Sequence, residues 1–420
     1  MKSTDIILAA VLSAASLLPV CAQNGTNSPY SRYGLGKMTE QSVGINRAMG
    51  GTGIGLRERN TLNTLNPASY SSVDTLTFLL DFGFSLSNDN YKENGTRINA
   101  RNSSVDYLSM QFRIARNLGF TASLLPFSTV GYCFSDDETV RNDNDGTVSS
   151  TNSFAGEGGL RQVNAGLGWA PFRWLSVGAD IGYVFGEITH SVTNSYSESS
   201  VFTHSRAYYA EADGLRFNFG LQTAFGLGEG KFCLGLVYSP LASLKTESYV
   251  YNQTSSGSNI EVADTVTIPG SIRIADRYGA GVTYSRERWM AGADVTYERW
   301  SNGRFFGLSG CDRLKISAGG MFRPEKNSKK LFRRTAYRAG VFMNGPYFNV
   351  GAEDGPAEYG MSLGMSLPVI NKWNNMIEVN VSGQYAHVRP SSVSMITENC
   401  LRLNVGIAFN ERWFVKWMVE

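Results

Sequence analysis

From Val73 onward the chain alternates. Leu76, Phe78, Leu80, Phe82, Phe84 and Leu86 are apolar, and Thr75, Thr77, Asp81, Gly83 and Ser85 stand between them. Successive side chains of a strand point to opposite faces, so this pattern writes one greasy face and one small or polar face. It recurs at Leu108, Met110, Phe112 and Ile114, along Leu175 to Phe185, along Leu215 to Leu221, along Tyr359 to Leu367 and along Leu401 to Phe409. No 3.6-residue period competes over a comparable length. The opposite faces carry Gly, Ser, Asn and Gln with an occasional charge, whereas a soluble β-sandwich would charge its solvent face richly. The runs reach about ten residues, which crosses a bilayer at a tilt, against a usual strand of about five or six. An all-β, transmembrane antiparallel β-barrel is expected.

Connections between the runs are alternately short and long. Short ones fall at Arg116–Asn117, Pro171–Arg173, Gly228–Gly230, Arg286–Arg288 and Pro368–Trp373, with a longer basic one over Pro324–Arg334. Long ones, rich in Asn, Ser, Asp and Thr, run near 87–104, 129–158, 187–205, 240–265, 301–311, 345–356 and 388–399. Short periplasmic turns and long extracellular loops are the habit of outer-membrane barrels, which have an even strand number. The spacing predicts about fourteen strands over 73–409. The third is expected from Leu118 to about Tyr132 with Pro126 inside it, and a periplasmic tail over 410–420. A proline cannot donate to a strand ladder, so Pro126 marks either the strand's end at the rim or an opening in the wall.

Composition narrows the function classes. Charged residues are 18% and aromatics 12%, with 45 glycines, and the net charge is +2. No Lys/Arg stripe points to nucleic acid. The first residues, with one Lys, an apolar stretch from Ile6 to Val20 and Ala22 before Gln23, read as a cleaved signal peptide over 1–22. Val20 is too bulky before Cys21 for lipid attachment. Export to the outer membrane follows, with membrane lipid as the surrounding partner. Cys133, Cys233, Cys311 and Cys400 match no zinc spacing, and their pairing stays open. His190, His204 and His387 are scattered in or beside expected loops. No metal, cofactor or catalytic constellation is expected, so no enzyme.

Residues 23–72 do not alternate. They contain Arg47-Ala48-Met49-Gly50-Gly51-Thr52-Gly53 and then Asn66-Pro67-Ala68. A phosphate loop would need a following Lys-Ser/Thr, which is absent. Glycines instead allow tight turns and close backbone approach, suiting a segment packed into a confined space. This glycine run, the later Asn-Pro-Ala and the first long strand resemble the long-chain fatty acid transporters of outer membranes. That superfamily includes aromatic-hydrocarbon channels and a secretion-system barrel. The resemblance implies a fourteen-stranded barrel plugged by an N-terminal hatch, with Arg47, Gly50, Gly51, Gly53, Asn66 and Pro67 as its motif residues. It further implies hydrophobic small molecules leaving sideways through a kinked third strand, at Pro126 here.

Arg113, Arg216, Arg313 and Arg338 fall on the lumen parity of their strands, with Asp180, Asp294, Lys315 and Glu378. They are expected to pair with one another and with the hatch, or to receive a carboxylate ligand. Tyr132, Phe134, Tyr208, Tyr209, Tyr249 and Tyr251 are the aromatics placed to line an extracellular groove. Two functions remain open: passive uptake of a hydrophobic, fatty-acid-like molecule, or a non-transporting barrel subunit with outer-membrane protein or lipoprotein partners.

Overall fold

The computed structural model describes residues 25–412 apart from 94, 142–146, 199–200, 257–258, 269–271, 306–309, 326–327, 329, 352, 371–375 and 393–394. The expected signal peptide and the tail after Arg412 lie outside the described residues. No helix among those described is long and apolar enough to cross a membrane; the chain crosses with strands.

Fourteen antiparallel strands close into a barrel. They are β1 (Thr77–Glu93), β2 (Thr96–Ala115), β3 (Leu118–Pro126 resuming as Ser128–Arg141), β4 (Thr147–Trp169) and β5 (Leu175–Tyr196). Next come β6 (Thr203–Leu227), β7 (Gly230–Ser239 resuming as Ala242–Ser256), β8 (Asn259–Thr267, Ile272–Ile274 and Asp276–Arg286) and β9 (Trp289–Arg299). The last are β10 (Arg313–Phe322), β11 (Ala336–Asn344), β12 (Ala357–Ile370), β13 (Met376–Arg389) and β14 (Thr397–Arg412). Pairing of β1 with β14, from Thr77↔Arg412 to Lys92↔Thr397, completes the closure.

The alternation sorts as the sequence predicts. Leu363, Leu401, Leu236 and Phe217 are exposed on the outer surface, while Ser362, Asn404 and Asn218 on the other parity are buried inside. Trp169, Phe172, Trp174, Phe225 and Trp289 stand exposed near the short-turn end. Tyrosines, among them Tyr238 and Tyr278 with ring centroids 5.1 Å apart, form a second belt higher up. Trp289 and Tyr297 share β9 eight residues apart, about 26 Å along a strand. At a tilt of about 40° that is about 20 Å of height, close to the apolar band of such barrels.

The long connections differ from the sequence reading. The segments expected as loops near 87–104, 129–158, 187–205 and 240–265 are largely paired strand, and β3 runs to Arg141 rather than to about Tyr132. Above the membrane both faces of a hairpin meet water, so the pairing continues while the alternation that marks it fades. For the same reason His190 and His204 lie in β5 and β6 rather than in loops, while His387 stands near the end of β13, beside the expected loop. β14 likewise continues past Phe409.

Candidate functional site

Residues 25–76 fill the barrel as a hatch. Three 3-10 turns organise it: Pro29–Arg32, Gly44–Met49 and Pro67–Ser72. Asn66 caps the third, its side chain accepting from the Ala68 N–H at 3.0 Å, and Pro67 enters at the first position, where no amide is needed. Gly50 ends the second turn in the left-handed region (φ 68°) and donates to Ser362 Oγ at 2.9 Å. The Gly51 N–H reaches the Asn46 carbonyl at 2.9 Å. The N–H groups of Gly53 and Ile54 converge on one oxygen of Asp294 at 2.6 and 2.8 Å.

The wall is shaped to receive this backbone. A Cβ at Gly178 would lie 2.3 Å from the Pro67 carbonyl carbon, and one at Gly340 would lie 2.1 Å from that of Met49. Glycine therefore sits where hatch meets wall because nothing larger fits. The Asn66 amide donates to the Ile54 carbonyl at 2.9 Å, and Gln222 on the wall donates to the carbonyls of Ile54 and Leu56 at 3.0 and 3.1 Å.

Among the expected arginines, Arg216, Arg313 and Arg338 are buried in the lumen. Arg313 pairs with Glu298 at 3.7 Å, and Arg338 with Glu378 at 3.8 Å. Arg216 lies over the Phe127 ring at 5.8 Å. Arg113 is not with them: it is half-buried near the β2–β3 turn, donating to Thr75 Oγ1 at 2.6 Å, so parity put it inside but height put it at the periplasmic rim. Arg47 of the hatch forms a buried ion pair with Asp106 of β2 at 2.6 Å and also donates to the Ser42 carbonyl at 3.0 Å.

At the extracellular end the lumen is sealed by apolar packing. Tyr30 and Leu35 of the hatch join Phe127, Leu160, Val184, Ile188, Trp300, Phe305, Tyr347 and Phe348 in one buried cluster. Tyr347 accepts from the Leu35 N–H at 3.1 Å and donates to the Gly36 carbonyl; Tyr33 stacks on Phe348 at 5.5 Å. The six aromatics expected to line a groove do not converge. Tyr132 is buried in this seal beside His190, while Tyr209 and Tyr249 stack on each other at 4.9 Å, with Tyr249 half-open to solvent. Burial, and then the Arg32 guanidinium, push the His190 imidazolium down to about 4, so the ring is neutral at pH 7.

The wall itself is interrupted in β3. Below Pro126 the strand pairs with β2 up to Leu108↔Leu124. Beyond Pro126 it pairs with β4 on one side and, on the other, only with the hatch, Lys37↔Thr129 and Met38↔Ser128. The Pro126 carbonyl is turned to the hatch and accepts from Thr39 and Gln41. Opposite the break, Gly158 and Gly159 of β4 have φ of 105° and 133°, a conformation side chains disfavour. A cavity of about 670 Å³ lies behind the interruption, bordered by hatch, β2, β3 and the far wall. Its lining includes Val105, Leu108 and Leu124, which are also exposed on the outer surface. The cavity thus reaches the lipid-facing side through a window between β2 and β3. Its interior is charged, with Arg277, Arg313, Lys315 and Arg402 from the wall, and Lys37 and Glu40 from the hatch.

Several of these residues escape a reading by parity. Asp106 and Tyr107 both point inward because the β1–β2 register shifts at Gly83/Phe84. Its signal was present: apolar parity is odd at Val105 and even from Leu108, as a bulge between them requires. Arg402 sits on lumen parity between Leu401 and Leu403. Lys37 lies in the hatch, where no periodicity exists to read.

Residues 2–419 match the family model BamG. No curated protein matches the chain. Among solved structures, a Pseudomonas aeruginosa FadL homologue is similar at 11% identity and a TM-score of 0.59, covering 90% of this chain and 100% of that one. The P. putida toluene transporter TodX is similar at 15% identity and 0.58, covering 90% and 99%, and the CymD monoaromatic hydrocarbon channel at 13% and 0.57, covering 89% and 99%. At such identities the likeness is one of fold: a FadL-like outer-membrane barrel.

Proposed function

Because this chain belongs to the BamG family, we propose that it is a non-transporting barrel subunit of an outer-membrane assembly complex of the BAM type. The family name points to that association. The observation that carries the reading is the closure of the lumen. Hatch backbone is seated against wall glycines, and an aromatic seal caps the extracellular end. What space is left sets charged side chains such as Lys37, Arg277, Lys315 and Arg402 among apolar ones, and those charges disfavour an apolar cargo, since desolvating them costs more than apolar contact returns. In such a subunit the barrel is a rigid anchor, and the tall paired hairpins above the membrane are the surface on offer to partners. The test is mild-detergent extraction of the tagged full chain, affinity isolation and mass spectrometry. Outer-membrane protein or lipoprotein partners at stoichiometric level are expected; repeated recovery of the protein with no partner would overturn the reading.

Uptake of a hydrophobic molecule with lateral release is the second reading, favoured by the window beside Pro126. It predicts that Pro126→Val lowers fatty-acid uptake while assembly is unchanged. The subunit reading predicts uptake at background in both wild type and variant.

A further inference from the structure

The window opens from lipid onto a cavity whose lining sets charged side chains among apolar ones. Lys37, Arg277, Lys315 and Arg402 border the cavity, and none of them forms an ion pair or hydrogen bond among the described residues. The two nearby pairs, Arg47 with Asp106 and Arg313 with Glu298, are already matched. Asp294 gives one oxygen to the Gly53 and Ile54 amides and keeps its charge. Glu40, Asp294 and Glu358 are the lining carboxylates outside an ion pair, and Glu398 lies behind Lys37, yet the lining as a whole holds more cations than carboxylates. A low-dielectric enclosure strengthens that imbalance.

A fifth cation stands at the window. Arg161 of β4 pairs with Pro126, lines the cavity and is exposed on the same parity as the lipid-facing Val163. Pro126 is eight residues above the start of β3 at Leu118, about 20 Å of height at a tilt of about 40°. That places the window in the outer leaflet. An arginine facing lipid there is costly unless an anion meets it. Val105, Leu108 and Leu124 supply an apolar lip beside it.

We propose that the window admits the phosphate-bearing headgroup of an outer-leaflet lipid, which the cavity's unpaired cations bind while its acyl chains stay in the bilayer against Val105, Leu108 and Leu124. Guanidinium matches phosphate bidentately, and lysine adds a point charge. The volume of about 670 Å³ is within the usual range of ligand pockets. A free phosphate ion shares the chemistry of the inner site, but it has no use for the apolar lip or for Arg161. The site does not depend on the subunit role, because it uses residues of this chain alone.

The test uses the purified full chain, delipidated in non-ionic detergent, with its thermal unfolding midpoint followed and bound lipid counted by native mass spectrometry. Phosphatidylglycerol in the micelle is expected to raise the midpoint and appear as one bound lipid, with at least about tenfold preference over phosphatidylcholine. Lys315→Gln and Arg402→Gln, which break no ion pair, are expected to lose that response, as is Arg161→Gln. Lys37→Gln, on the hatch rather than the wall, repeats the test should a wall variant fail to fold. Ser103→Trp, which narrows the window, is expected to exclude the lipid. Equal response to both lipids, or folded charge variants that bind phosphatidylglycerol as wild type does, would overturn the proposal. So would inorganic phosphate giving an equal shift that Ser103→Trp leaves intact, which would identify a free-anion site.

Discussion

The membrane-level lumen and its extracellular mouth are closed by different chemistry. Within the membrane-level part of the lumen the hatch is held by directed polar contacts: Arg47 to Asp106, Asp294 to two amides, Gln222 to two carbonyls. Toward the cell exterior the same hatch ends in an apolar cluster around Leu35, Tyr347 and Trp300. Polar contacts fix a backbone in one register, because each buried donor and acceptor is costly when unmatched. Apolar packing excludes water over a wide mouth without fixing a register. A segment with no regular structure of its own needs the first kind to be positioned and the second kind to seal.

The largest effect is expected where hatch backbone touches wall. Gly340→Val would push into the Met49–Gly50 backbone, a clash that no rotamer relieves. We expect loss of the folded, heat-modifiable barrel, or expulsion of the hatch, read as protease sensitivity near residue 49. Next is the polar anchor. Arg47→Met leaves Asp106 as an unpaired buried carboxylate, a loss of about 3–5 kcal/mol, and adding Asp106→Leu should recover part of it in denaturant titration. The double variant is the sharper test, since a purely steric role for Arg47 would give no recovery.

At the apolar end, Trp300→Ala should cost about 3 kcal/mol, the low end for a large aromatic, and raise accessibility at Leu35 to a thiol probe on Leu35→Cys. Hatch contacts near Arg47 should stay protected, because the two closures use separate contacts. The smallest effect concerns pH. His190 titrates near 4 in the folded protein, below its unfolded value of about 6.5. The unfolded chain therefore takes up the proton first, and stability falls as pH drops from about 6.5 toward 4. The difference in unfolding midpoint between wild type and His190→Gln should change across that window and be flat above pH 7.

The barrel was legible because lipid imposes a simple rule: every second side chain must be apolar, as at Leu401, Leu403 and Val405, and the strand count followed. Legibility failed where that rule lapses. Above the membrane both strand faces are wet, so Thr147–Ser153 reads as loop although it is ladder. At Asp106–Tyr107 a bulge resets parity. The hatch motif residues were found through a family resemblance, but Lys37 and the roles of Tyr347 and Trp300 depend on contacts between segments about 300 residues apart. Arg113 shows the remaining gap, since parity gives a side chain's face and not its height.

Single-channel recording distinguishes a closed, non-transporting barrel from a channel. Full-length protein in planar bilayers should be electrically silent, and a variant lacking residues 25–72 should open wide, stable pores if it still inserts. Steady conductance from the intact chain, or uptake of fatty acid into vesicles containing it, would mean that the barrel is open to cargo and not a closed subunit.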